Sequence, residues 1–255
     1  MLLAIDIGNT NINFGVFKDS ELQASWRIAT DTNRTADEYA ALLMNMLQHR
    51  GLTPVDITKV AMCSVVPPLT AIFEEVSQRY FTTTPLVVEA GVKTGVRIRM
   101  DNPREVGADR IADAAAAHRL YSGPVIIIDL GTATTFGIVS KEGDYIGGVI
   151  ATGIATAAEA LFTRTAQLPR VELAHPERVI GTNTIAAIQS GIIYGYASLV
   201  EGMLARIARE LGEKPLVVAT GGYAELIAKE TAAINVVNRD LTLIGLRLIY
   251  LMNRV

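Results

Sequence analysis

Cysteine is nearly absent from this chain: Cys63 is the single one in 255 residues, so no internal disulfide can form and no cysteine-spaced zinc site exists. Its setting in the apolar run VAMCSVV marks it as a small buried hydrophobe. Histidine is scarce as well; His49, His118 and His175 are scattered without metal spacing, and each suits a surface or packing role. No apolar run approaches the roughly 18 residues that a bilayer crossing needs. The strongest, LTLIGLRLIYLM, carries Arg247. Asp6 interrupts the opening apolar stretch and no basic segment precedes it, so no signal peptide is predicted. Lysine and arginine form no cluster and the formal net charge is -3, which argues against a nucleic-acid surface. These absences predict a cytoplasmic protein with neither a membrane nor a nucleic acid as partner.

Apolar residues, by contrast, are plentiful. Hydrophobic side chains make up 50% of the chain and charged ones 19%, a composition unlike disorder and sufficient at this length for a substantial core. The opening reads as three strands joined by tight turns, LLAIDIG, INFGVF and LQASWRI, an antiparallel meander. A capping box in TADE, with Thr35 and Glu38 exchanging bonds, starts a helix striped by Ala41, Leu42, Leu43, Met46 and Leu47. The strand KVAMCSVV is stopped by Pro67 and Pro68; a helix through LTAIFEEVSQRYF and a strand PLVVEA follow. After the helix ADRIADAAAAHRLY the pattern restarts with PVIIIDLG, TTFGIVS and GDYIGGVI, again three strands. Helices dominate from Ile154 to Leu211, broken by LPRVELAHPERVIG; the strand PLVVAT, Gly221-Gly222, a short helix, the strand INVV and a closing helix complete the chain. Two meanders, each followed by alternating strands and helices, predict a duplicated α/β protein with domains at 1–118 and 119–255. The last helix is free to pack back on the first domain.

Asp6 and Asp129 end the leading strands of the two copies, and glycine follows two residues later in each, at Gly8 and Gly131. Phe-Gly comes one residue sooner in the second copy, so the two turns cannot be identical. A carboxylate closing an otherwise apolar strand is costly to bury unpaired. A cation, or a phosphate carrying one, compensates. Gly8 and Gly131 admit a ligand close to the backbone, while Asn9, Thr10 and Asn11 in one copy and Thr132, Thr134 and Thr135 in the other offer short donors for phosphate oxygens. Two such loops facing each other would form a cleft gripping a phosphate chain from both sides. VVATGGYAEL adds a strand, Gly-Gly and a helix, whose flat backbone suits a base or ribose.

Duplicated domains with two phosphate loops and a late Gly-Gly segment resemble the actin, sugar kinase and Hsp70 ATPase superfamily. The implied fold is two duplicated ribonuclease H-like domains with mixed sheets and an ATP cleft between them. DIGNTN, DNPREVGADR and DLGTATT together closely resemble type III pantothenate kinase, and LPRVEL, VIGTNTIAAIQSGIIYG, ATGGYA and LTLIGLRLIY extend the likeness over essentially the whole chain in order. The resemblance implies ATP-dependent phosphorylation of pantothenate to 4'-phosphopantothenate, the first step of coenzyme A biosynthesis, by a homodimer that requires potassium or ammonium. It carries ATP binding onto Asp6, Ile7, Gly8, Asn9, Thr10, Asn11, Ile12, Asn13 and Thr132, and the substrate segment onto Gly107, Ala108, Asp109 and Arg110, with further contacts from Met100 and Thr184. Asp109 is the implied base and Asp129 the implied potassium ligand. Met100 stands where members often have tyrosine, and Thr152 where they often have proline.

In that frame Asp6 is expected to hold magnesium through water, and Asp109 to take the proton of the pantothenate hydroxyl. Arg110 offers a planar fork to substrate oxygens. Two competing readings are a kinase for another small molecule within the superfamily and a non-catalytic regulatory relative. NPREVGADR disfavours the first, and retention of Asp6, Asp109 and Asp129 disfavours the second.

Overall fold

A computed structural model describes residues 1–253, which separate into two compact units. The first takes residues 1–97, 101–116 and the closing segment from Asp240; the second takes 98–100 and 117–239.

In the first unit β1 (Leu2–Ile7), β2 (Asn11–Lys18) and β3 (Glu21–Ala29) form the antiparallel meander. After α1 (Ala36–Gln48), β4 (Lys59–Ser64) pairs in parallel with β1. α2 (Pro67–Phe81) then leads to a short β5 (Leu86–Val87), and the sheet order is β3-β2-β1-β4-β5. The capping box forms as the sequence suggests, with Glu38 N–H donating to Thr35 Oγ1 at 3.4 Å and Thr35 N–H to Glu38 Oε2 at 2.8 Å. Pro67 and Pro68 do more than end a strand, because they sit in the first turn of α2, where a missing N–H costs nothing. Of the expected strand PLVVEA only Leu86 and Val87 pair.

Both faces of this sheet are covered, which is why β1 is apolar almost throughout. Leu3, Ile5 and Ile7 face α1 and α2, where Phe73 packs on Tyr39 and Phe14 with ring centroids 4.8 and 5.8 Å apart. Leu2 and Ala4 face the opposite side with Ala61, Cys63 and Ala112. Period-two alternation therefore assigns Asp6 to that second face. α3 (Ala108–Leu120) lies there.

The second unit repeats the plan. β6 (Val125–Leu130), β7 (Ala133–Val139) and β8 (Tyr145–Thr152) form a meander. α4 (Ile154–Arg164), α5 (Thr184–Leu211), β9 (Leu216–Thr220), α6 (Ala224–Ala228) and β10 (Val236–Val237) follow. The order β10-β9-β6-β7-β8, read from β8, is that of the first sheet. The duplicated mixed-sheet architecture predicted from sequence is thus present in each unit. Ile126, Ile128, Leu130, Phe136 and Ile138 bury against α4, α5 and α6.

The closing helix α7 (Leu241–Met252) packs in the first unit, setting Leu243, Leu246 and Ile249 beside Leu2, Ala4 and Phe17. α7 and α3 meet backbone to backbone, since a Cβ on Gly245 would lie 1.9 Å from the Ala112 carbonyl oxygen. Thr242 Oγ1 donates to Asp113 Oδ1 at 2.7 Å across the same contact. We predict that Gly245→Ala pushes α3 away from α7, lowering unfolding free energy by about 1–3 kcal/mol, the usual range for overpacking. Urea denaturation of the purified protein measures this; an unchanged midpoint would show that the contact can relax.

Candidate active site

Asp6, Asn13, Cys63 and Arg27 stand in one row across four strands, because Asp6 is in register with Cys63 on β4 and with Asn13 on β2, and Asn13 with Arg27 on β3. Their side chains are linked along it. Cys63 Sγ donates to Asp6 Oδ1 at 3.4 Å, Asn13 Nδ2 to Asp6 Oδ2 at 2.9 Å, and Arg27 Nε to Asn13 Oδ1 at 3.0 Å. Burial at the strand end raises the Asp6 pKa from its ordinary 3.8 to about 6; the nearby charge of Asp109 adds to the rise, while Asn13, Cys63 and Arg27 oppose it. Burial, with the charges of Asp6 and Asp109, pushes the Cys63 thiol well above its usual range. Cys63 is therefore a buried donor to Asp6 as well as the core residue its sequence setting suggests.

The loop after Asp6 comprises Gly8, Asn9 and Thr10. Gly8 N–H donates to Asn11 O at 3.0 Å, and a Cβ on Gly8 would sit 2.9 Å from that same oxygen. Thr30, just past β3, clamps the loop: its hydroxyl donates to Gly8 O at 2.6 Å and its N–H to Thr10 O at 3.0 Å. Asn9 and Thr10 are exposed, whereas Ile7 and Ile12 are fully buried in the core. Ile7 and Ile12 can therefore offer a ligand only main-chain groups.

Asp109 lies in the first turn of α3, half-buried like Gly107, Ala108 and Arg110. Its Oδ1 accepts the Arg110 N–H at 2.8 Å, and a Cβ on Gly107 would fall 2.4 Å from the same oxygen. Glycine at 107 is what lets the carboxylate fold back over the start of the helix. The fold thus brings Asp6 and Asp109, 103 residues apart in sequence, within electrostatic reach inside one unit.

The other predicted site residues belong to the second unit. Asp129 is half-buried at the end of β6, and a Cβ on Gly131 or Gly221 would lie 3.3 or 2.3 Å from its Oδ1. Gly221 has φ +90°, so it combines a left-handed backbone with close approach to Asp129 and Leu130. The turn after β6 is only Gly131 and Thr132, one residue shorter than its counterpart, which accounts for the offset in the sequence repeat. Thr134 and Thr135 are accordingly not loop donors: both are buried in β7, paired with Leu130 and Asp129. Thr132 is exposed, and its carbonyl oxygen accepts from Thr156 Oγ1 at 3.0 Å, a clamp matching that of Thr30 on Gly8. Neither clamping threonine nor Arg27 stands out in the sequence, because Arg27 and Thr30 act through the placement of β3 and Thr156 through that of α4. Met100, 36% exposed, lies close to Gly147 of β8. Thr184 is exposed at the start of α5, beside an open cavity of about 650 Å³ also lined by Leu161, Leu168, Asn183, Ile188 and Ile192.

No group of three or more His, Cys, Asp or Glu side chains among the described residues could hold a metal unaided. Asp6 and Asp129 suit hard cations whose remaining ligands are waters, carbonyls or phosphate oxygens. A cation beside Asp6 would also relieve the cost of its charge. In the ligand-free protein that cost has a pH signature. The folded pKa lies above the unfolded value, so the folded state holds its proton longer, and destabilisation grows between about pH 4 and pH 6 and is complete above. We predict that the stability difference between Asp6→Asn and wild type shifts in favour of Asp6→Asn as pH rises through this window. Thermal melts across the range check it; a difference independent of pH would refute the raised pKa.

The chain matches the family described as type III pantothenate kinase over residues 2–206. It is 57% identical over 254 residues to a type III pantothenate kinase of Dehalococcoides mccartyi, covering 100% of this chain and 97% of that protein. Against the type III pantothenate kinase of Moorella thermoacetica it is 51% identical over 253 residues, covering 99% and 100%. Among solved structures, the activator of 2-hydroxyisocaproyl-CoA dehydratase from Clostridium difficile with bound ADPNP aligns with a TM-score of 0.55 at 13% identity, over 97% of this chain and 92% of that one. That likeness is one of fold alone, the plan of duplicated mixed sheets. By sequence along its whole length, the chain belongs to the type III pantothenate kinase family.

Proposed function

We propose that this protein transfers the γ-phosphoryl group of ATP to the primary hydroxyl of pantothenate in the cytoplasm, with Asp109 as base. The observation that carries the assignment of roles is that Asp6 and Asp109 belong to one unit, near enough for the charge of one to act on the other, in a chain similar throughout its length to type III pantothenate kinases. Phosphoryl transfer passes through a loose transition state and asks the protein mainly to position groups and neutralise charge. Asp6 suits a water-mediated magnesium site, and Asp129, in its glycine cradle, a potassium or ammonium site. When bound, these cations supply positive charge beside the phosphate oxygens. The exposed Asn9 and Thr10 of the first unit, and the exposed Thr132 of the second, suit donation to phosphate oxygens, whereas the Gly8 and Gly131 N–H groups are taken by the Asn11 and Ala133 carbonyls.

One oxygen of Asp109 is engaged by the Arg110 N–H. The other carries no hydrogen bond among the described residues, which leaves an acceptor for the pantothenate hydroxyl. A carboxylate is a weak base for an alcohol, so proton transfer is late and alignment matters more than basicity. Gly107 and Ala108 hold the turn that aims it, while the Arg110 guanidinium and Met100 and Thr184 contribute to substrate binding. A homodimer fits the exposed apolar side chains around Thr184: Val179 is 67%, Ile180 82% and Ile185 50% exposed.

Asp109→Asn should lower kcat by roughly 10²–10⁴-fold with the KM for MgATP little changed, as read in a coupled assay. Near-normal turnover would remove Asp109 as base. Wild-type activity should depend on potassium or ammonium, and Asp129→Ala should lose most of that response. Equal rates in sodium and potassium would contradict the cation site.

A further inference from the structure

Arg27 belongs to none of the family motifs, yet it ends the row that leads to Asp6. Its neighbour Asn13 has an amide with two orientations, one of which sets an oxygen against Asp6 Oδ2. An ionised carboxylate only accepts, and a guanidinium only donates. With Asp6 on one side and Arg27 on the other, a single orientation satisfies both: Arg27 Nε to Asn13 Oδ1 at 3.0 Å, and Asn13 Nδ2 to Asp6 Oδ2 at 2.9 Å. The three residues are aligned by register, one on each of β1, β2 and β3. Thr30, three residues beyond Arg27, clamps the Gly8 carbonyl, so the outermost strand of the sheet and its end fix both the carboxylate and the loop that follows it.

We propose that Arg27 is a positioning residue for nucleotide binding, acting through Asn13 to hold the Asp6 carboxylate in the plane that meets the metal-loaded phosphates. The inference rests on the reading of Asp6 as the MgATP carboxylate. Arg27 is exposed on an edge strand, so its truncation opens no core cavity and the fold survives it.

The test is steady-state kinetics on the full-length enzyme with Arg27→Met, Arg27→Lys, Asn13→Ala and the Asn13→Ala/Arg27→Met double variant. Arg27→Met should raise the KM for MgATP about tenfold, the scale of one charge-assisted hydrogen bond. The KM for pantothenate should hold, and Tm should stay within about 2 °C, as expected for an exposed side chain. Arg27→Lys, also a pure donor, should recover most of the loss. The double variant should bind MgATP no worse than Asn13→Ala alone, because the two residues act in series. Multiplicative losses in the double variant would overturn the relay, since Arg27 would then act independently of Asn13. So would an unchanged KM in Arg27→Met, or equal rises for both substrates with a lowered Tm. Asp6→Asn separates the levels: a wild-type KM for MgATP there removes the reading of Asp6 and the relay with it. An impaired Asp6→Asn beside a normal Arg27→Met removes the relay alone.

Discussion

A carboxylate held at the end of an apolar strand is costly while it carries charge, and the first unit is organised around that cost. Asp6 falls on the face of β1 shared with Leu2 and Ala4 because side chains alternate, and nothing in the strand itself solvates it. Two short donors, Asn13 and Cys63, each take one oxygen, and these bonds lower a proton affinity that burial and the Asp109 charge raise. The remaining deficit is what a cation at this position, as proposed above, would relieve. On that proposal the site would trade stability of the empty protein for affinity toward a metal-bearing ligand.

Around this charge the backbone is held with unusual closeness. In each unit the turn after the acidic strand has one carbonyl oxygen taken by a threonine hydroxyl, Thr30 on Gly8 and Thr156 on Thr132. Glycines stand where a Cβ would collide with a neighbouring carboxylate: Gly107 against Asp109, and Gly221 against Asp129. The Gly-Gly segment after β9 therefore has a structural task inside its own unit, apart from any contact with a nucleotide. Turns held this way would cost little further ordering on binding the phosphate proposed for them.

Much of the architecture was legible in the residues themselves. Asp6 and Asp129 stood out because each closes a strand that is apolar on both faces and is followed by glycine, a pattern that a buried sheet rarely tolerates without reason. The Thr35 and Glu38 capping box announced α1, and the repeated meander announced the duplication. Other residues were misread for local reasons. Thr134 and Thr135 looked like loop donors because the Phe-Gly offset shows that the second turn differs but not where β7 begins; strand pairing puts both threonines in β7. Pro67 and Pro68 follow the end of β4, as a stop should, and also open α2, which the strand reading alone did not show.

Sequence by itself determined the period-two and helical patterns, the duplication, the acidic strand ends and the family, because each is written in neighbouring residues or in ordered motifs. It could not determine which side chains meet across strands. The row Cys63–Asp6–Asn13–Arg27 depends on register among four strands, and the nearness of Asp6 to Asp109 depends on α3 docking beside β1 and on Gly245 letting α7 close against it. Those contacts join residues up to 133 positions apart (Gly245 and Ala112), and only the packed tertiary structure brings them together.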